Sequence, residues 1–394
     1  MAQLSGVNIE RLEGGLARLA EGTDNHVGYV CTFLEGGGLD DVVSNDLKGV
    51  VIRSIFDAEQ LGINEAFDAN EGLQLYADIV DFFRLAPEAT LYLFSKTAIH
   101  KIKIWLTQNK EIKGFGVSLT SSEDDEGVNL DFVNEMQVLV NELAFENRLI
   151  DFVVIGFDNQ PTFNNSLFEL IAPQVSVVVA CEKNDGHVGV CSFLGMIAVR
   201  RISENVGSVD IISKPLSKRG RQDYPLTDPL LGRWTEAYLP DGRSVESLNK
   251  SELTAIINKG YIVAAQYEGY SGYFFENSYT AVERSSDFAQ IENNRVWNKA
   301  ARIIRATLLP RVKSKVKKDP TTGFIATTTT SYWKGLVEKA LERLQIDDDI
   351  SGYEVSIDSK QIVNDTTPVK VKALIVADGI VHEFTVAVGL TNNI

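Results

Sequence analysis

Seven residues have side chains suited to nucleophilic, acid–base or soft-metal chemistry: His26, His100, His187 and His382, with Cys31, Cys181 and Cys191. Their spacing predicts no zinc site, and three unpatterned cysteines make no disulfide framework. Each cysteine lies in an apolar stretch, which predicts a buried, inert thiol in a reducing compartment. His100 opens a helix-like run and is expected at the surface. The glycines carry no phosphate loop: Gly36-Gly37-Gly38 runs into Leu39-Asp40-Asp41, whose charges repel a phosphate, and Gly114-Phe115-Gly116 lacks the third glycine of a dinucleotide fingerprint. No nucleophile elbow is present. The remaining candidates are Asp158 and Glu182 at strand ends, near Asn159 and Asn184. They would serve a cytosolic α/β nucleotide-binding protein or enzyme with its site at the carboxyl ends of the strands, but ordinary turns use the same residues. The expectation is a chain with no catalytic residue, cofactor or metal.

The elements that would position such groups alternate in the first half. Residues 27–33, 49–53, 90–94, 114–119, 152–157 and 175–181 are short, almost wholly apolar β-type runs, as in a sheet covered on both faces. Helical patterns at 73–85, 98–108 and 132–147 lie between them, the first with Leu75, Ile79, Phe82 and Phe83 on one face. This order predicts an outer three-layer α/β domain with a mostly parallel sheet over residues 26–213. Residues 214–240, rich in proline and base, read as a connecting strap. Residues 241–366 read as an inner α+β domain with helices at 250–258, 287–309 and 331–344, residues 327–330 being a threonine linker.

Both termini read as β-arms. Residues 369–377 and 380–388 alternate around Asp378-Gly379, a strong hairpin signal. A lone hairpin is not stable in water, so it needs strands from its own domain or from another chain. Residues 1–25 form the amino-terminal arm, with Val7 and Ile9 on one face. In the hairpin arm, residues 367–394, the paired face carries Val369, Val371, Ile375, Phe384, Val386 and Val388.

Composition is that of a globular protein, with 44% hydrophobic and 23% charged residues. A net charge of −16 argues against nucleic-acid binding by the whole surface. The start shows no secretory signal, and no apolar run is long enough for a membrane span. Against this acidic background Arg295, Lys299 and Arg302 share one face of a helix whose Val296, Ala300, Ile303 and Ile304 can face a core, and Arg305, Arg311, Lys313, Lys315, Lys317 and Lys318 continue the run. The run reads as a solvated face balancing neighbouring acids or as a dock for an acidic protein surface. Few aromatic residues interleave with it, which weakens nucleic acid as a partner.

Residues 48–62, with Asp57-Ala58-Glu59-Gln60-Leu61-Gly62, then Tyr76 to Phe82-Phe83 and the strand at 91–94, resemble the opening of a contractile tail sheath protein, the family that forms the shortening outer cylinder of contractile phage tails, R-type bacteriocins and related injection systems. Residues 188–198 resemble that family's small-residue helix, and residues 258–344 follow the order of its inner domain. The start departs from the family, with Ser5-Gly6-Val7-Asn8 in place of a Pro-Gly-Val-Tyr entry. The resemblance implies a non-enzymatic virion component of hexameric rings stacked in a helical assembly, linked by strand exchange. It would polymerise around an inner tube and contract to drive that tube through a target envelope. Its implied partners are further copies of itself, the inner tail tube protein, and baseplate and terminator proteins, without membrane insertion or nucleic acid. The implied location is a virion tail or injection-system particle assembled in the bacterial cytoplasm, with Arg295, Lys299 and Arg302 on the tube-facing helix.

Overall fold

Gly116 and Gly156 show how the first layer closes. A Cβ at Gly116 would lie 2.6 Å from Val190 and one at Gly156 would lie 2.4 Å from the same side chain. The absence of side chains at these two strand positions lets a fully buried helix press directly onto the sheet. In the computed structural model, residues 24–31, 39–44, 47–95, 98–121, 127–160, 162–209, 226–364 and 367–380 are described. The glycine run at 36–38, the acidic loop at 122–126, residues 214–225 of the strap, and Val7, Ile9, His382, Phe384, Val386 and Val388 lie outside them.

The elements run β1 (His26–Cys31), α1 (Asp40–Ser44), β2 (Val50–Ile52), α2 (Ile55–Gln60), α3 (Glu65–Glu71), α4 (Leu75–Leu85), β3 (Thr90–Phe94), α5 (Ile99–Gln108), β4 (Gly114–Thr120), α6 (Leu130–Phe145), β5 (Val153–Asp158), β6 (Ile171–Ala172), β7 (Val175–Val178) and α7 (Val190–Val199). After the strap come α8 (Lys250–Ile257), β8 (Ala264–Gln266), β9 (Tyr273–Phe275), β10 (Ala281–Val282), α9 (Ile291–Leu308), α10 (Thr327–Ile346), β11 (Gly352–Ser356) and β12 (Lys372–Val376).

The main sheet has the order β2-β3-β1-β4-β5-β7, parallel throughout except for β2, which runs antiparallel at the edge. Alternation along β1 divides the core. Val27, Tyr29 and Cys31 face a cluster with α4 and α7, while Val30 faces one with α5 and α6. Helices on both faces account for the continuous apolar runs, and the mixed α/β reading of the first half holds. Gly116 therefore serves close packing within β4 and is not part of a nucleotide loop.

Residues 241–282, expected in the second domain, join these same two clusters. Ile262 exchanges hydrogen bonds with Val177 and Val179 beside β7, and β10 pairs with β6. Val245, Tyr273 and Phe275 pack in the first cluster, and Ile256, Tyr261 and Val263 in the second. A third, smaller cluster holds Val296 and Ala300 of α9, Val337, Leu341 and Leu344 of α10, and Val355 of β11.

One local expectation changes, and a partner not expected for the first arm of the hairpin is added. Residues 327–330, read as a linker, form the first turn of α10, with Thr330 buried at 3% exposure; packing against the third cluster outweighs the modest helix propensity of threonine. The described partner of β12 is β11, with Tyr353 opposite Ile375 and Val355 opposite Ala373. The first arm of the expected hairpin thus has a partner on one edge within its own chain, and the second arm, from residue 381 on, lies outside the described residues.

Candidate assembly interface and buried ion network

The β11–β12 ribbon is two-faced. Val371, Ala373 and Ile375 pack against the third cluster, whereas Leu374 and Val376 are 47% and 58% exposed. Val369 is half-buried. Period-two alternation places every second side chain of β12 outward, and among the described residues neither edge of the ribbon has a further strand. An open, partly apolar edge is a template for another strand.

The basic helix is arranged differently from the outward face expected of it. Arg295 is 2% exposed and donates to the Arg201 carbonyl at 3.2 Å. Burial lowers the pKa of its guanidinium, opposed by the nearby carboxylates of Asp24, Asp151 and Glu292. Lys299 bridges Asp24 at 2.8 Å and Asp349 at 3.0 Å, and Arg302 forks onto Asp151 at 2.7 and 3.1 Å. Asn298 adds a bond to Asp151 at 2.9 Å. The reason for this inward arrangement is desolvation: α9 lies against the base of β5, and cations held there need carboxylates beside them. Arg295, Lys299 and Arg302 therefore clamp α9 to the α/β half instead of forming an outward basic edge. The exposed charge begins one turn later, at Arg305, and continues through Arg311, Lys313, Lys315, Lys317 and Lys318.

The strand ends carry a polar network that residue spacing did not bring together. His187 lies between two aspartates, Nε2 at 3.0 Å from Asp78 and Nδ1 at 3.3 Å from Asp158. Burial alone would push the imidazole down, but the two carboxylates hold its pKa well above the ordinary value, which favours the protonated ring. Asp78 also accepts from the Tyr29 hydroxyl at 2.9 Å, and Asp158 from the Val188 backbone N–H at 2.8 Å. One helical turn on, fully buried Asp81 accepts from Arg84 at 2.6 Å, Trp234 at 3.2 Å and the Ser192 hydroxyl. Glu182 takes both arms of Arg233 at 2.6 Å and the Trp234 N–H at 3.0 Å.

The strand-end carboxylates named for the enzyme reading, Asp158 and Glu182, are both taken up within the chain. Both carboxylates are engaged by internal donors, Asp158 by His187 and the Val188 N–H and Glu182 by Arg233 and Trp234 of the strap, and Asn159 and Asn184 are exposed turn residues. No serine or cysteine is bonded to His187 among the described residues. The thiols of Cys31, Cys181 and Cys191 are free and buried, with pKa values raised by burial, as the apolar surroundings predicted. His100 is exposed, also as expected. Among the described residues no group of histidine, cysteine and acid could hold a metal, and no helix is long and apolar enough to cross a membrane.

Two family models match the chain, the N-terminal domain of DUF2586 over residues 162–279 and its C-terminal domain over residues 287–394. Together they span more than half of the sequence. The chain carries both domains of DUF2586. The gap between the two matches, residues 280–286, contains β10 and precedes α9, near the step from the α/β half into the third cluster. None of the curated proteins matches by sequence. Among solved structures, a chain of the anti-feeding prophage baseplate is similar in fold, with a TM-score of 0.57, 14% identity and 100% coverage of both chains. A sheath tail protein from Listeria innocua follows at 0.48 and 10% identity, covering 90% of this chain and 96% of its own, a likeness too small to carry weight for the fold. At the level of fold, the contractile-tail resemblance read from the sequence holds over the whole chain.

Proposed function

We propose that this DUF2586 chain is a structural, non-enzymatic subunit of a contractile tail, which polymerises as a sheath around an inner tube through strands exchanged between neighbours. The observation that carries the proposal is the ribbon of β11 and β12, whose β12 side chains Leu374 and Val376 stand in solvent beside an edge with no described partner. A two-stranded ribbon gains most from a third strand, and a neighbour's arm could supply it. Residues 384, 386 and 388, with Val7 and Ile9, are the proposed exchanged positions.

In this reading contraction is a rigid-body rearrangement of subunits in a lattice assembled in a metastable extended form. The clamp of Arg295, Lys299 and Arg302 suits it, because α9 and the α/β half would turn together while the arms bend. The inner tube protein and the baseplate are the proposed further partners, in a tail or injection particle. Removing residues 381–394 tests the idea and leaves the β11–β12 ribbon intact. The expected product is a folded chain, by circular dichroism and melting, that no longer forms rings or tubes in negative stain. Tubes from the shortened chain would contradict strand exchange by this arm.

A further inference from the structure

Two exposed stripes of opposite charge, each carrying apolar side chains, have no role in the core. The first lies on α6, where Glu135, Val138, Glu142 and Phe145 follow one another at three- and four-residue steps. Such steps keep them on one line along the helix, acid and apolar side chains in alternation. Val138 is 55% exposed and Phe145 is 91% exposed. Glu142 meets Lys103 at 3.0 Å in a solvated pair, which leaves the stripe acidic overall. The second stripe runs off the end of α9. Arg305 is exposed, Leu309 and Val312 are 54% and 63% exposed, and Lys313 is exposed beside them.

We propose that these stripes meet between two copies of this chain, the acidic face of α6 on one copy against the basic end of α9 on the next. The occupant follows from complementarity. Each stripe supplies the charge that the other lacks and presents two large apolar side chains to be covered. A chain of net charge −16 is repelled by its own average surface, so the exposed cations after Arg305 are the natural point of attraction for another copy. Because the two stripes are different surfaces, the contact joins unlike faces and can propagate into a ring or a filament. The inference rests on the assembly reading above and adds to it a second linkage, independent of the strand arm.

A charge swap tests it on the full chain. The double variants Glu135→Lys with Glu142→Lys, and Arg305→Glu with Lys313→Glu, should each raise the concentration needed for assembly by about tenfold, read by sedimentation velocity and negative stain. Combining all four should bring it back to within about threefold of the parent, since opposite charges again face each other. Phe145→Ser, in a side chain that is solvated in the single chain, should weaken assembly without lowering the melting temperature. The contact is overturned if the double variants and Phe145→Ser assemble like the parent, or if a folded four-charge chain fails to recover. If those variants behave like the parent while removal of residues 381–394 abolishes assembly, strand exchange stands and this contact falls. A parent chain that stays single at every concentration removes both.

Discussion

Replacing His187 by alanine removes the cation that lies between Asp78 and Asp158, whose side chains are only 8% and 10% exposed. Breaking a buried pair by deleting one partner typically costs about 3–5 kcal/mol. The Tyr29 hydroxyl and the Val188 N–H still bond to the two carboxylates, which places the expected loss near the lower end, about 3 kcal/mol. At roughly 2 °C per kcal/mol for a chain of this size, the melting temperature should fall by about 6 °C at pH 6. The pH dependence follows from the raised imidazole pKa. A group whose folded pKa lies above its unfolded value stabilises fully below the unfolded value, near 6.5, and loses that contribution as pH rises through the folded value. The parent should therefore lose stability progressively above about pH 6.5, and the alanine variant should lose less over the same range. Differential scanning calorimetry from pH 6 to 9 reads both curves. Parallel curves, or a variant as stable as the parent at pH 6, would refute the histidinium clamp.

Gly156→Ala places a methyl group 2.4 Å from Val190, so α7 must shift from the sheet; a cost of about 2 kcal/mol in denaturant melts is expected. Asp151→Asn leaves Arg302 without its carboxylate and should cost about 2 kcal/mol, below the usual figure for a buried pair because the Arg302 side chain keeps 26% of its exposure. Proteolysis at the junction near residues 283–290 should quicken in that variant. The three thiols, fully buried with raised pKa values, should resist an aromatic disulfide reagent until denaturant is added, and a thiol titrating rapidly in the folded chain would contradict that burial.

The first half was legible because its strands are apolar on both faces, a pattern that only a covered sheet requires. Residues 241–282 were harder to place. Ile262 joins the β7 edge through a few bonds rather than a regular strand, and no periodicity in the sequence marks such a junction. The Asp378-Gly379 signal points forwards, and nothing in it marked the partner that β12 has in β11, which precedes it. Alternation specifies which side chains face the core but not which strand lies alongside.

The buried network was missed because its members lie far apart: Asp78 and His187 are 109 residues from each other. One signal for it was available. Asp78 and Asp81 stand on the same side of α4 as Leu75, Ile79 and Phe82, and an acid on the apolar face of an amphipathic helix demands a buried donor. The basic helix shows the converse. Its three-and-four spacing marked the cations as one face, but that spacing cannot distinguish a face turned to solvent from one turned to the chain's own acids.

Cryo-electron microscopy of the purified full chain, concentrated until it sediments as large particles, tests strand exchange most directly. The account expects rings or hollow tubes in which a strand from a neighbouring molecule is hydrogen-bonded along the β11–β12 ribbon and covers Leu374 and Val376. An assembly in which that ribbon is left without a neighbour's strand, or a chain that remains single throughout, would contradict it.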